Sequence, residues 1–437
     1  MTNYLPEIEQ VTLPNGLTLL GLFYSRVPWV SMSFMNKRGG ECDPPGKAGV
    51  ADWTAEFLTL GTIRRSQRQL AEDIESLGAN LQARGEWDAT MVHLDGLSED
   101  FAALIATLGE IVQTPRLAED EFPMLKERRR AELAQIMDEP REVASRRFQR
   151  LFFQGAPYGH ALRGEMESLA SLDLGDIQAF YHKEFSPRAA TLVVVGMLPF
   201  SQILEEAQKV WTGWTASGPA SPPYTEAPRQ SCPPGIYLLD RPELTQSEIR
   251  MGFLGLPRSH PDFFTLRLVN YVLGGGGFSS RLMTRIRSEL GLTYGIRSQF
   301  FFRRAPGLFQ VSTFTPAVHT AKVVEEIKAV IQNIRDNGVT AQELQEAQSY
   351  YTGHFPLSLE TPRALCRQVL TIDLHDLGLD YLKLYCDRIL GVTQEAAREA
   401  AHHHLKPENL VTLVVGPASQ CRESLEKLGP VEILEDS

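Results

Sequence analysis

Between Val11 and Tyr24, two apolar runs flank Asn15-Gly16, a dipeptide suited to a tight hairpin, and predict paired strands. Met32 to Asn36 and Val92 to Leu94 read as further strands. From Phe101 to Val112, apolar residues fall at 101, 104, 105, 108, 111 and 112, the spacing of one helix face. Strands and helices mix without strict alternation. The expectation is an α+β fold in which each domain is a mostly antiparallel sheet with helices packed on one side.

The pattern then repeats. Phe185-Ser-Pro-Arg-Ala-Ala-Thr-Leu-Val-Val-Val-Gly196 matches Leu405-Lys-Pro-Glu-Asn-Leu-Val-Thr-Leu-Val-Val-Gly416 at an offset of 220, Pro187 on Pro407 and Gly196 on Gly416. A helix-like stretch precedes each, Asp176 to Glu184 and Glu395 to His404. At an offset of 222, Met91 to Ala131 and Val311 to Gly353 both read strand, long helix, turn and second helix, the latter opened by Glu121-Phe122 and Glu343-Leu344. So long a period means two similar domains in tandem, not a solenoid. Thr215 to Gly235 is dense in proline with Ser, Gly and Ala, an extended and fairly stiff linker. The domains are placed at 1–215 and 236–437, with the linker at 216–235.

The 437 residues are 43% hydrophobic and 22% charged, ordinary globular values that exclude a disordered chain, a collagen-like fibre and a small disulfide scaffold. No apolar run is long enough for a transmembrane helix. Met1 to Glu9 has neither a basic start nor an apolar core, so no secretory leader is expected in the sequence as it stands. Lys plus Arg is 43 against 54 for Asp plus Glu, a net charge of −11. That disfavours nucleic acid and weakly suits a basic peptide. The five cysteines are odd in number and form no Cys-x-x-Cys, which reads as reduced thiols. A cytoplasmic location is expected, or a periplasmic one if a leader has been removed.

Gly46-Lys47-Ala48-Gly49-Val50 leads into Ala51-Asp52-Trp53-Thr54-Ala55-Glu56-Phe57-Leu58-Thr59-Leu60-Gly61-Thr62, an amphipathic helix closed by glycine. This segment resembles the one that carries the inverted zinc motif, His-x-x-Glu-His, of the pitrilysin/insulinase metallopeptidase family. Gly159, Gly164, Phe180-Tyr181 followed by Phe185-x-Pro187, Leu77-Gly78-Ala79-Asn80 and Gly291-Leu292-Thr293-Tyr294 resemble the same family, as do the duplication and the Pro-rich linker. The resemblance spans most of the chain and implies two homologous domains forming half of a clamshell chamber. In that family, two histidines at i and i+4 hold zinc, a glutamate beside them takes a proton from the metal-bound water, and a glutamate on a later helix is the third ligand.

This sequence departs from the motif at each position. Anchored on Gly61-Thr62, the histidine positions carry Asp52 and Glu56, and the general-base position carries Ala55. The later helix, Lys126 to Met137, aligns Gln135 with the distal ligand. Ala55 accepts no proton, and Gln135 is neutral and a poor zinc ligand. Asp52 and Glu56 therefore read as a helix's polar face, and no metal is expected in this chain. The run His402-His403-His404 has no ligand spacing and reads as a solvated helix end.

The second domain holds Leu273-Gly274-Gly275-Gly276-Gly277-Phe278. Such glycines break the preceding helix and let backbone approach closely or move. No Gly-Lys-Ser/Thr follows, so a phosphate loop is not indicated. The resemblance implies that Gly274, Gly275, Gly276 and Gly277 face the peptide chamber, as does the Gly-rich loop of the non-catalytic subunit in heterodimeric processing peptidases. A plain turn between helices is the alternative. Arg287 is expected on a helix ended by Gly291, with Tyr294 opening the next strand, so the two side chains can converge. The resemblance implies that Arg287 and Tyr294 bind the substrate backbone and the developing oxyanion beside the zinc of the opposing half. Gly78 to Ala83 resembles the edge strand that pairs with substrate in catalytic members. Phe300-Phe301-Phe302 reads as core and edge packing.

The zinc half is thus erased and the Arg/Tyr half kept. That asymmetry points to the non-catalytic subunit of a heterodimeric zinc metalloendopeptidase, inactive alone and acting on peptides. It needs no cofactor of its own; zinc is expected in a homologous partner that carries His-x-x-Glu-His. No nucleic-acid or membrane partner is expected. A structural scaffold, like the core proteins of respiratory complexes, is the alternative. A self-sufficient peptidase with an Asp52/Glu56 metal site ranks last, because Ala55 stands at the base position.

Overall fold

The computed structural model describes residues 7–215 and 232–435, so most of the expected linker at 216–235 lies outside the described residues. Two six-stranded sheets carry the fold. The first contains β1 (Glu9–Thr12), β2 (Thr18–Phe23), β3 (Trp29–Asn36), β4 (Asn80–Gly85), β5 (Thr90–Leu97) and β6 (Ala190–Gly196), in the order β1-β2-β6-β3-β5-β4. The second contains β7 (Gly235–Asp240), β8 (Gln246–Leu254), β9 (Ile296–Phe301), β10 (Leu308–Pro316), β11 (Val411–Gly416) and β12 (Val431–Leu434), in the order β12-β7-β11-β8-β10-β9. The matched segments ending at Gly196 and Gly416 occupy equivalent places. β6 runs parallel to β2 and antiparallel to β3, just as β11 runs parallel to β7 and antiparallel to β8. Only the outer strand differs, β1 being antiparallel and β12 parallel to its neighbour. All five cysteines are unbridged, and no helix among the described residues is long and apolar enough to cross a membrane.

The chain divides into two compact units, and each takes in a segment from the other half of the sequence. Among the described residues, the first unit combines 7–133 and 160–215 with 356–383, and the second combines 134–159 with 232–355 and 384–435. In the first sheet β3, β5 and β6 are buried along almost their whole length, which requires cover on both faces. One face is apolar: Phe34 stacks on Trp211 of helix Phe200–Trp211, ring centres 5.5 Å apart. The other face carries Ser31, Ser33, His93 and Asp95, polar residues that a period-two pattern assigns to solvent. Helix Pro362–Leu374 covers them instead. Its Cys366 thiol donates to the Ser31 carbonyl (3.1 Å), Arg363 lies 3.5 Å from Asp95, and Asp373 pairs with Lys37 (3.0 Å). In the second unit, helix Pro140–Phe152 plays the same part, with Arg250 of β8 donating to Ser145 Oγ (3.2 Å). Helices therefore lie on both faces, because each sheet's polar face takes its cover from a distant segment.

His93 makes this face acid-sensitive. Its Nδ1 lies 2.6 Å from Ser33 Oγ. Burial pulls its pKa down from 6.5 to about 4, and the positive charges of Arg84, Arg363 and Arg367 add to the lowering. The unfolded chain takes up this proton near the ordinary value, and the folded chain only near 4. The contribution is therefore fully present above the ordinary pKa and is lost as pH falls toward the depressed one. Urea denaturation near pH 7 and about pH 4.5 should show the wild type losing about 2–3 kcal/mol more than His93→Gln. Equal losses in the two proteins would remove His93 from the acid response.

Candidate functional site

Helix Val50–Leu58 begins at Gly49, which sits at φ +94°; a Cβ there would meet the Gly164 backbone nitrogen at 2.7 Å. Asp43 caps this start, accepting from the N–H of Gly49 (2.6 Å) and of Ala51 (2.9 Å). Trp53, Ala55 and Phe57 are buried, so the general-base position lies in the core. Asp52 and Glu56 come together, but not on a solvated face, their side chains being only 12% and 22% exposed.

Arg129, on helix Phe122–Met137, enters between them. Its Nη1 is 2.9 Å from Asp52 Oδ2, and its Nη2 is 2.6 Å from Glu56 Oε2. The side chain is 4% exposed and lies 5.6 Å from the centre of the Trp53 ring. Arg128 also pairs with Glu56, Arg163 approaches Asp52 at 3.8 Å, and Asp52 Oδ1 accepts the Gly85 N–H of edge strand β4 (3.2 Å). Gln135, further along the Arg129 helix, is exposed. These residues do not fit zinc. Both carboxylates are already turned onto a cation that belongs to the chain, and a guanidinium occupies the space a metal would need. The reading of this face as an ordinary polar surface is thereby corrected: it is an internal ion cluster, because a packed helix lays Arg129 across it.

In the second unit, helix Phe263–Asn270 runs on into a π-helical turn, Tyr271–Gly275, and a second π-helical stretch, Met283–Glu289, carries Arg287. Such turns insert a residue into the helical ladder and frequently accompany functional sites. The first depends on glycine. A Cβ on Gly274 would stand 2.7 Å from the Ser298 backbone nitrogen and 2.8 Å from Leu282, so a larger residue would push the turn away from β9. Gly277 and Gly291 both take φ +64°, one turning the loop and the other ending the Arg287 helix. Arg281 anchors the loop through a two-pronged ion pair with Glu343, each prong 2.7 Å.

Arg287 and Tyr294 meet. The guanidinium carbon of Arg287 lies 4.7 Å from the centre of the Tyr294 ring and 4.5 Å from that of Phe278. The two aromatic residues are 76% and 70% exposed. Cation–π attraction holds the guanidinium between the rings and leaves its N–H donors, and the phenol, for a ligand. Arg287, Tyr294, Gly274, Gly275 and Gly277 line a cavity of about 580 Å³. Gly276 instead faces Tyr271. Tyr294 stands in the turn just before β9 rather than in the strand. A donor pair on one wall of a cavity this size can bind peptide carbonyls and a developing negative charge.

The family profile described as Insulinase (Peptidase family M16) matches residues 30–165, and the one described as Peptidase M16 inactive domain matches residues 171–351. This chain belongs to the M16 peptidase family. It is 23% identical over 352 residues to an "Uncharacterized zinc protease" of Rickettsia bellii, covering 80% of this chain and 83% of that one. It is 24% identical over 366 residues to the "Non-peptidase homolog YmxG" of Helicobacter pylori, covering 81% and 80%. A crystal structure of an M16 inactive-domain protein from Pseudomonas fluorescens is similar at TM-score 0.88 and 25% identity, over 94% of this chain and 98% of that one.

This M16 chain is a peptidase-like protein whose sequence contains no His-x-x-Glu-His. Two of its site features escape a reading of the sequence. Arg129 is hidden in the run Arg128-Arg129-Arg130, which looks like a solvated face. Phe278 follows four glycines, where an aromatic residue has no core to join, and that was its signal. The expectation of a solvated run at His402-His403-His404 fits the exposed His402 and His403 but needs correction at His404. The His404 side chain is 9% exposed, its Nε2 is 2.7 Å from Asp262 Oδ2, and its ring meets His260 edge-on. His260 Nδ1 in turn accepts the Asp262 N–H (3.1 Å). The end of helix Gln394–His404 is thus packed against the turn that opens helix Phe263–Asn270.

Proposed function

We propose that this chain is the non-catalytic subunit of a two-chain zinc endopeptidase whose partner is a homologous M16 chain with an intact His-x-x-Glu-His. One observation carries the reading. The place of the metal in the first unit is closed by Arg129, while Arg287 and Tyr294 in the second unit stand together at an open cavity. An M16 chain with neither activity nor a partner has no use for an exposed guanidinium and phenol held in this way. Zinc in the partner would polarise the scissile carbonyl and activate water. The Arg287 guanidinium and the Tyr294 hydroxyl would donate hydrogen bonds to the substrate backbone and to the oxyanion as it forms. Gly274, Gly275 and Gly277 keep this wall free of side chains, so an extended peptide can approach the backbone.

The test uses purified proteins. The chain alone should carry no stoichiometric zinc and hydrolyse no peptide, and mixing it with an M16 partner bearing the motif should create activity. Metal-dependent hydrolysis by the isolated chain would overturn the proposal. A stable complex that leaves the partner's turnover unchanged would favour the scaffold reading instead.

A further inference from the structure

The cavity beside Arg287 is cationic, in a chain whose net charge is −11. Arg141, Arg250, Arg287 and Arg297 line it, against one carboxylate, Glu248. That carboxylate is already engaged, lying 2.9 Å from Arg250 Nη1. Arg250 is 1% exposed, and it also donates to the carbonyls of Arg141 (2.8 Å) and Ile249 (3.0 Å). Arg141, Arg287 and Arg297 have no carboxylate at ion-pair distance among the described residues.

The sheet register explains the crowding. Arg250 on β8 and Arg297 on β9 both pair with Ser312 on β10, in one row across three strands and on one face. The small serine leaves space above that row. Arg141 enters from the start of helix Pro140–Phe152, and Arg287 from the π-helical stretch. Burial lowers the Arg250 pKa from its ordinary value, Glu248 opposes the shift, and repulsion from Arg141 and Arg297 adds to it. The cavity therefore holds more positive charge than its own groups neutralise. A planar carboxylate matches the guanidinium fork and would complete the set.

We propose that this cavity binds an acidic peptide segment, with Arg141 and Arg297 taking its carboxylates while Arg287 and Tyr294 engage the adjoining backbone. The proposal rests on the reading of Arg287 and Tyr294 as a peptide-binding wall and adds the substrate class. The charge of the whole chain suits a basic peptide, but screening within about 10 Å leaves selection to the local field.

Calorimetric titration of the full chain with blocked peptides of equal length, differing only in a central run of Glu, Gln or Lys, tests this directly. The Glu peptide should bind about tenfold tighter than the Gln peptide, and the Lys peptide weaker still. Raising salt from about 0.05 M to about 0.3 M should remove most of that advantage. The double variant Arg141→Gln/Arg297→Gln, its fold checked by circular dichroism, should bind the Glu and Gln peptides alike. A Gln peptide with a free C-terminus separates the two sources of carboxylate: tight binding assigns the site to a chain end, and weak binding assigns it to acidic side chains. Equal affinity for Glu and Gln, tightest binding of Lys, or a Glu preference that survives in the double variant would overturn the proposal. No partner chain is needed. A Glu preference without activation of the partner would sink the subunit reading alone, and activation without a Glu preference would sink only the substrate class.

Discussion

Arg129→Met should lower the unfolding free energy by about 3 kcal/mol, read by urea denaturation near pH 7. The arginine side chain is 4% exposed and touches both Asp52 and Glu56. Without it, two carboxylates are left together in a partly buried place, with only the half-exposed Arg128 and Arg163 to balance them. Repulsion at short range and the cost of keeping unpaired charge from water then act in the same direction. The triple variant Arg129→Met/Asp52→Asn/Glu56→Gln should recover most of the loss, since a neutral set needs no counter-charge. A triple variant as unstable as the single one would show that packing of the arginine stem, and not its charge, holds the helices together.

In the proposed two-chain enzyme, Tyr294→Phe and Arg287→Ala should each lower kcat by about a hundredfold, with a smaller rise in KM from the lost contact to the substrate backbone. An interaction that strengthens only as the oxyanion forms appears in kcat rather than in substrate affinity. Tyr294 is 76% exposed, and its hydroxyl has no hydrogen-bond partner among the described residues. The phenylalanine variant keeps the ring over Arg287 and removes only the oxygen, so stability and assembly with the partner should be unchanged. A wild-type kcat in the Tyr294→Phe complex would end the oxyanion role. A loss of assembly would instead place the tyrosine at a subunit contact.

Local pattern made the elements legible. Asn15-Gly16 fixed the first hairpin, the apolar spacing from Phe101 fixed a helix, and the matched segments ending at Gly196 and Gly416 revealed the duplication that the two sheet orders display. What stayed hidden is non-local. Ser31, Ser33, His93 and Asp95 alternate with apolar residues as an exposed face would, and nothing nearby in the sequence announces helix Pro362–Leu374. Arg129 looks like its neighbours Arg128 and Arg130 until a facing helix gives it two carboxylates. Arg287 and Tyr294 stood out only through family resemblance. The π-helical turns that place Arg287 and Gly274 leave no mark on a hydrophobic pattern, because stretches so short hold too few apolar positions to establish a helical phase or its change.

The exchange of segments between the halves has a consequence for biosynthesis. When the ribosome has released β1 to β6, the first sheet still lacks the helix that shields its hydroxyl, imidazole and carboxylate row. It must wait, half-dressed, until some 170 further residues have been made. Gene duplication produced two similar folding units, but neither can be finished without the other's message. A stop codon between the two copies would therefore leave one incomplete protein rather than one small finished domain.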